Sequence, residues 1–357
     1  MLPLDYHVSA YTRKHMSVTI FDVAKHAGVS YGTVSRVLNG KKNVSDTARD
    51  QVQRAVKALG YVANRQAQGL AGGRSNVIGI LVRDLATGYI GEIIAGVDEE
   101  LATHGFDLML QTTHRLAGDE QKLAELFSSQ LAEGLIVVLP RQPELYLKIL
   151  RQRRFPCVLV DHQGLGLEVS AVGAANFEGA LAATDYLIGL GHQRIGFITG
   201  TVSMGCAQER LRGYQCALKR HGLRLDSHLI FRGDFQQAQG YVGAKQLLGL
   251  KSRPTAIFAS NDTMAFGAME VARELGLGIP SDLSIIGFDD IPQTESVHPP
   301  LTTVHQPLRN MGREAARMLV RRIQGSMDQV MWVELPTSLI VRQSCREPSL
   351  KRRRGDK

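Results

Sequence analysis

Along residues 19 to 59 the apolar positions recur at helical spacing, and no stretch alternates as a half-buried strand would. Ile20, Val23 and Ala24 share one face of a first helix that runs to Ala27 and stops at Gly28. Val34, Val37 and Leu38 point inward from a second helix, which begins after Ser30, a residue suited to capping a helix N-terminus. A third starts at Ser45, gains from Asp46 against the helix dipole, and carries Val52, Ala55, Val56 and Leu59 to a stop at Gly60. The pattern changes at Asn76. From there short β-rich runs (VIGILV, DLMLQTT, GLIVVL, CVLVD, RIGFITG, AIFAS, SIIGFD) alternate with helical stretches such as GEIIAGVDEELATHG and GYVGAKQLLGL. Nearly continuous apolar strands separated by helices predict parallel sheets covered on both faces. They are too many for one small sheet, so two βαβ lobes are expected. Ligands of such folds bind beyond the carboxyl ends of the strands, which places Asp84, Asp161, Asn261 and Asp289 around a cleft.

Between the two patterns lies VANRQAQGLAGGRS, with a cap at Asn64 and a stop at Gly72-Gly73. A helix this short is marginal in water. Gly69 weakens it by roughly another 1 kcal/mol relative to alanine. The segment is predicted to order only when something supports it, as a hinge does. The expected division is a leader over 1–17, a helical headpiece over 18–61, a hinge over 62–75, a two-lobed core over 76–345 and a basic tail over 346–357. Met16 is an alternative start.

Composition narrows the class. With 44% hydrophobic and 21% charged residues the chain is globular, and no run approaches the roughly 20 apolar residues of a membrane span. The leader has no apolar stretch of the secretory kind, so a cytoplasmic protein is expected. Four cysteines form no C-x-x-C pair, and Cys157 sits in an apolar run. That predicts buried thiols in a reducing compartment, with no disulfide framework or zinc site. The net charge of +8 resolves into +7 over residues 1 to 75, −3 over 76 to 345 and +4 from Arg346 onward. Basic ends on a slightly acidic body suggest a polyanion partner, although the run KRRRGDK also reads as a solvated end.

The helix, glycine turn and helix from Ile20 to Asn39 have the geometry of a DNA-binding helix-turn-helix, a turn that any small helical bundle also contains. Two features favour DNA. The second helix presents Tyr31, Gly32, Thr33, Ser35 and Arg36, groups for which a core has no use. The region also carries nearly all the net positive charge, as phosphate binding requires.

The stretch TIFDVAKHAGVSYGTVSRVLNG, followed by NRQAQGLAGGRS, resembles the headpiece and hinge of the lactose-repressor (LacI/GalR) family of bacterial transcription regulators. LVDH, YLIGLGHQRIGFITG, ERLRGYQCAL, FASNDTMAFGAM, SIIGFDD and PPLTTVHQP resemble that family's sugar-binding core in the same order. The likeness runs from about Val18 to Ser344. It implies an all-α helix-turn-helix headpiece and an α/β core of two doubly wound parallel-sheet lobes, like those of periplasmic binding proteins. By the same resemblance Tyr31, Gly32 and Arg36 match base-reading positions, and Thr19, Ser30, Ser35, Asn39 and Asn43 match phosphate contacts. Asn64 at the start of the hinge joins the DNA-contacting set, and Leu70 matches a leucine that wedges between base steps in the minor groove.

In the core, Arg210 matches an arginine that holds sugar hydroxyls with its fork of donors. Asp161, Asn261 and Asp289 match further polar contacts, Phe235 an aromatic ring stacked on the ligand, and Gln306 a position lining the cleft. Asp84 and Tyr89 fall in the first core loop, where VRDLATGYIGE departs from the family's proline- and asparagine-rich pattern. Ala175 stands where an acidic residue is frequent. Both departures bear on which ligand binds. The plainer reading of each polar residue is a satisfied strand-end or capping group.

No phosphate loop, nucleophile elbow, H-E-x-x-H or cysteine–histidine metal spacing is present, and neighbours Asp289 and Asp290 point different ways at a strand end. Catalytic residues, cofactors and metals are not expected. The reading is a homodimeric repressor on a pseudo-palindromic operator, its affinity set by a small ligand, a sugar, in the core cleft. Lobe closure would change the spacing of the two hinges, and a coupling of about 1–3 kcal/mol would act equally on DNA and ligand. The tail lacks a leucine heptad, so a dimer is expected and not a tetramer. A periplasmic-type sugar-binding protein and a sugar-processing enzyme are the alternatives on the same core.

Overall fold

The structure, a computed structural model, describes residues 18–38, 40–41, 43–61, 75–85, 88–113, 119–162, 168–327 and 329–348. The described residues fall into two compact units that divide between Ser75 and Asn76. Among the described residues the first holds three helices, α1 (Ile20–Ala27), α2 (Tyr31–Leu38) and α3 (Asp46–Leu59). Val23, Val34 and Val52, one from each helix, are fully buried together. The ends are set locally. Asp22 Oδ2 accepts both the Thr19 N–H and its hydroxyl, while the Asp22 N–H donates back to Thr19 Oγ1, closing a capping box. Gly28, at φ +64, supplies the left-handed residue that ends α1 and opens the turn. Ser45 Oγ accepts the Ala48 N–H and starts α3.

Among its described residues the second unit has twelve strands: β1 (Val77–Val82), β2 (Asp107–Thr112), β3 (Gly134–Val138), β4 (Cys157–Val160), β5 (Ser170–Ala174), β6 (Ile195–Thr199), β7 (Ile230–Arg232), β8 (Ala256–Ala259), β9 (Ser284–Ile286), β10 (Thr303–His305), β11 (Trp332–Leu335) and β12 (Ser338–Ile340). Its described helices are α4 (Gly88–Thr103), α5 (Asp119–Leu126), α6 (Glu144–Gln152), α7 (Asn176–Gly189), α8 (Gly205–Arg220), α9 (Gln237–Leu248), α10 (Asp262–Glu274), α11 (Gln293–Ser296) and α12 (Leu308–Ile323). One lobe is a parallel sheet in the order β11-β5-β4-β3-β1-β2, the other a parallel sheet in the order β7-β6-β8-β9. β10 and β12 form a separate antiparallel pair. The order reverses beside β1 and again beside β6. Those are the switch points outside which such sheets bind ligands.

All seven predicted strand runs are strands. β5, β7, β10, β11 and β12 escaped the reading because they are short or rich in small and polar residues, and their place comes from the neighbour they pair with. The chain passes between lobes three times, at Ala175 after β5, at Gln306-Pro307 after β10 and at Pro336-Thr337 after β11. Cys157 and Cys206 are buried as predicted, whereas Cys216 is exposed on α8. No described helix is long and apolar enough to cross a membrane.

α4 and α12 cover one face of the first sheet and cross backbone against backbone. A Cβ on Gly96 would lie 1.9 Å from the Arg309 carbonyl oxygen, and one on Gly312 only 2.1 Å from that of Ile93. Arg309, Arg313 and Arg317 of α12 pair with Glu92, Glu99 and Glu100 of α4 along the exposed edge of the crossing. Gly91 on the same helix faces open space. Gly312→Ala should therefore lower the urea midpoint of the full chain, by about 1–3 kcal/mol of overpacking. Gly91→Ala should raise it by about 0.5–1 kcal/mol through helix propensity alone. Shifts of the same sign would mean that the glycine contact does not set the approach of the helices.

Candidate functional site

The start of α2 organises one face of the first unit. Ser30 Oγ accepts the Thr33 N–H at 3.2 Å and lies 2.9 Å from the Thr33 hydroxyl, so it acts as the predicted cap. Tyr31 is exposed and stacks on Phe21 of α1, centroids 5.0 Å apart and planes inclined by 19°. Phe21 itself is 66% exposed. The sequence reading missed it, although an aromatic off the Ile20–Val23–Ala24 stripe was a signal. Arg36 folds back along its helix, its Nε donating to the Gly32 carbonyl at 3.0 Å. With no side chain at Gly32, Tyr31 and Arg36 are the long groups of this turn. Asn43 is exposed and Ser35 half-buried. The Thr19 hydroxyl is committed to Asp22, so any phosphate contact there competes with the helix cap. Lys25, Lys41, Arg54 and Lys57 are exposed cations of the same unit. Asn39, Asn64 and Leu70 lie outside the described residues, as do the leader, nearly all of the hinge and most of the tail.

In the second unit a cavity of about 60 Å³ opens where the two sheets face each other at their switch points. Asp84 follows β1, Leu139 follows β3, Asp161 follows β4, Asn261 follows β8 and Asp289 comes soon after β9, all on its wall. Tyr89, Arg210 and Phe235, also expected there, lie on the same wall. Tyr89 belongs to the first turn of α4, which begins at Gly88, and not to the loop. Its hydroxyl donates to Asp161 Oδ2 at 2.8 Å. Leu139, Asp161, Phe235 and Asp289 all have positive φ, at 54, 56, 71 and 115°. For residues with a side chain such backbone costs on the order of 1–3 kcal/mol each and gathers at functional sites.

Arg210 is the centre of this wall. It is 1% exposed, with its guanidinium 3.9 Å from the centroid of Phe288. Nε donates to Asn176 Oδ1 at 2.8 Å, and Nη1 donates to the Ser260 carbonyl and to Asp289 Oδ1 at 3.3 Å. Gln306 does not line the cavity. It lies behind Asp289, 1% exposed, and Nε2 donates to Asp289 Oδ1 at 2.7 Å, so its side chain holds the carboxylate that the cavity sees. Asn261 has a divided role. Its Oδ1 accepts the Met264 N–H as the cap of α10, and its Nδ2 donates to the Phe235 carbonyl at 3.1 Å. The plainer capping reading therefore holds for Asn261 alongside its place on the wall. Asn176, Arg83 and Phe288 were missed, because nothing near them in the chain marks which strand end they will face.

Burial sets the electrostatics. It pushes the Asp289 carboxyl up to about 7, with Arg210 and Gln306 pulling the other way and Asp161 adding to the rise. Burial also raises Asp262 behind it, with the charge of Asp289 adding to that. Tyr89 is raised by burial and by Asp161, which keeps its hydroxyl a donor. Among the described residues no three His, Cys, Asp or Glu side chains gather to hold a metal.

Removing one partner of a buried pair strands the other. Arg210→Met should cost about 3–5 kcal/mol, and adding Asp289→Asn should restore part of it in a double-mutant cycle. Asp289 is raised on folding, so its stabilising contribution is complete below the ordinary value of 3.8 and is lost as pH climbs through about 7. Asp289→Asn should therefore flatten the stability profile of the chain across that window. An unchanged slope would assign it to other groups.

Residues 19–64 match the family described as bacterial regulatory proteins, lacI family, and residues 184–345 match the periplasmic binding protein-like domain. The HTH-type transcriptional repressor PurR of Edwardsiella ictaluri (strain 93-146) is 36% identical over 329 residues, spanning 91% of this chain and 96% of that one. The structure of the complex of the transcriptional regulator CelR with cellobiose shares 35% identity at a TM-score of 0.72, covering 92% of this chain and 99% of that one. The lac repressor dimer bound to operator and the anti-inducer ONPF gives 30% identity and a TM-score of 0.82 over the same shares. The helix-turn-helix unit, the paired parallel sheets and this similarity across nine-tenths of the chain agree: the protein belongs to the lacI family of bacterial regulatory proteins, DNA-binding transcriptional repressors and not enzymes.

Proposed function

We propose that this repressor answers to a sugar bound between its lobes and acts in the cytoplasm as a homodimer on a pseudo-palindromic operator. The Arg210–Asp289 pair carries the ligand reading. A guanidinium offers a planar fork of donors and a carboxylate offers acceptors, and the edges of a sugar ring need both. Phe235, its ring 5.7 Å from the guanidinium, gives the cavity the apolar surface that a ring face needs. The related regulator solved with cellobiose supports the same class of ligand. The division into leader (1–17), headpiece (18–61), hinge (62–75), core (76–345) and tail (346–357) belongs to this proposal.

On the DNA side, Tyr31 and Arg36 read bases and Phe21 buttresses Tyr31. Ser30, Ser35 and Asn43 meet phosphates with Thr19, and Asn39, Asn64 and Leu70 extend the contact. In the core, Asp84, Tyr89, Asp161, Arg210, Phe235, Asn261 and Asp289 face the ligand, and Gln306 acts through Asp289. Coupling follows from where Arg210 is tied. Asn176 sits beside the first crossing between lobes, and Gln306, which holds Asp289, sits at the second. Thr337, at the third, donates to the Ala175 carbonyl at 3.0 Å. A ligand that alters the Arg210–Asp289 geometry acts directly on the segments about which the lobes turn.

Selection of random duplexes on the full chain should return a pseudo-palindrome. Arg36→Ala should weaken that duplex by about 1–3 kcal/mol and relax one base position in each half-site. Unchanged affinity in a folded variant would remove α2 as the recognition helix. In a thermal-shift screen of the full chain against neutral sugars, a sugar at 100 times its Kd should stabilise by about 2.7 kcal/mol, and Arg210→Lys should abolish the shift. A shift that survives in Arg210→Lys would place the ligand elsewhere.

A further inference from the structure

A second and larger chamber, of about 480 Å³, adjoins the Arg210 cavity and shares Asp161 and Cys206 with it as a common wall. It lies alongside the β5 and β11 ends, between them and the N-terminal turns of α7 and α8. Ligand pockets run to roughly 300–1,000 Å³, a range that includes this chamber and exceeds the inner cavity. Its lining suits a polyhydroxylated ring. Trp332 of β11 lines it, 48% exposed, and Gly173 of the neighbouring strand β5 lines it beside the indole. Phe177 forms part of the opposite wall, with the Arg212 guanidinium 4.7 Å over its ring. Glu178, Glu209 and Glu334 bring acceptors against the donors of Arg141 and Arg212. Burial and the charges of Glu178 and Glu209 raise the Glu334 carboxyl, so an anionic ligand meets a surplus of like charge.

We infer that the effector is a neutral oligosaccharide of at least two rings, one held by Arg210 and Asp289 in the inner cavity and the next lying on Trp332 in the adjoining chamber. This rests on the sugar reading above and extends it to ligand length and charge.

The full chain provides its own probe, because Trp332 is its single tryptophan. Glucose, galactose, ribose, cellobiose, maltose, lactose and glucose 6-phosphate are titrated by calorimetry and by tryptophan emission. One disaccharide should bind at least about tenfold more tightly than its constituent monosaccharides. It alone should shift the emission, and glucose 6-phosphate should bind more weakly than glucose. Trp332→Ala should remove the advantage of the second ring and leave monosaccharide affinity in place. A monosaccharide that binds as tightly as every disaccharide, or a disaccharide that binds without moving the emission, overturns the second-ring site while the sugar reading stands. If calorimetry finds no neutral sugar bound at all, the sugar reading falls and takes this inference with it. The emission measurement needs no substitution, so it decides the matter even where Trp332→Ala does not fold.

Discussion

A guanidinium taken out of water loses its hydration, and the core is arranged around replacing what Arg210 has lost. Desolvating an ion costs several kcal/mol even after relaxation, and the cost is met only if its hydrogen-bonding groups find partners in place. Arg210 finds Asn176, the Ser260 carbonyl and Asp289, and lays its plane on Phe288. Asp289 is in turn a buried carboxylate that Gln306 must hold. Each partner comes from a different element, so the pair fixes the ends of α7, β8 and β9 and the start of α12 against one another. Backbone with positive φ at Leu139, Asp161, Phe235 and Asp289 is tolerated because the surrounding sheets over-determine it.

What surrounds this centre is stiff. The reciprocal glycine contacts of α4 with α12 recur between α9 and α10, where a Cβ on Gly240 or Gly267 would fall 2.2 or 2.3 Å from the facing carbonyl oxygen. Helices that meet at their backbones have no side-chain layer to shear. The Arg210–Asp289 network touches two of the three crossing segments, through Asn176 and Gln306.

The headpiece was legible almost to the residue, because its helix ends are local events: Ser30 and Ser45 cap, Gly28 and Gly60 terminate, and no distant contact intervenes. The long apolar strands were legible for a similar reason, since burial on both faces leaves a continuous signature. β5 and β11 were not. SAVGA and WVEL become strands only because β4 is available to pair with the first and the first with the second. The site divided along the same line. Residues that end a strand could be placed around a cleft from order alone, and Arg210 entered through resemblance. Gln306 was placed on the wall itself, because one position in a chain does not say whether a polar group faces the ligand or the group that does. Tyr89 was assigned to a loop because the helical pattern was read from Gly91 onward, whereas α4 begins at Gly88. Phe21 went unread although it lies off the apolar stripe of α1, and Trp332 went unread because its exposure depends on where β11 pairs.

The second crossing has a consequence for how the molecule is made. α12 and β11 belong to the first lobe in space but come after β6 to β10 of the second lobe in the chain. Met311, Ala315 and Leu319 of α12 fill the same core as Ile78, Ile80 and Ile93, some two hundred residues earlier. As the chain leaves the ribosome, β1 to β5 emerge without the helix that covers one of their faces and without their last edge strand. The parallel sheet of the second lobe, whose strands β6 to β9 are contiguous in the chain, can form first, and β12 joins β10 at the end. The first lobe must wait with apolar surface open until the residues of β11 have followed, so the sheet that is begun first is completed only after the sheet of the lobe that interrupts it.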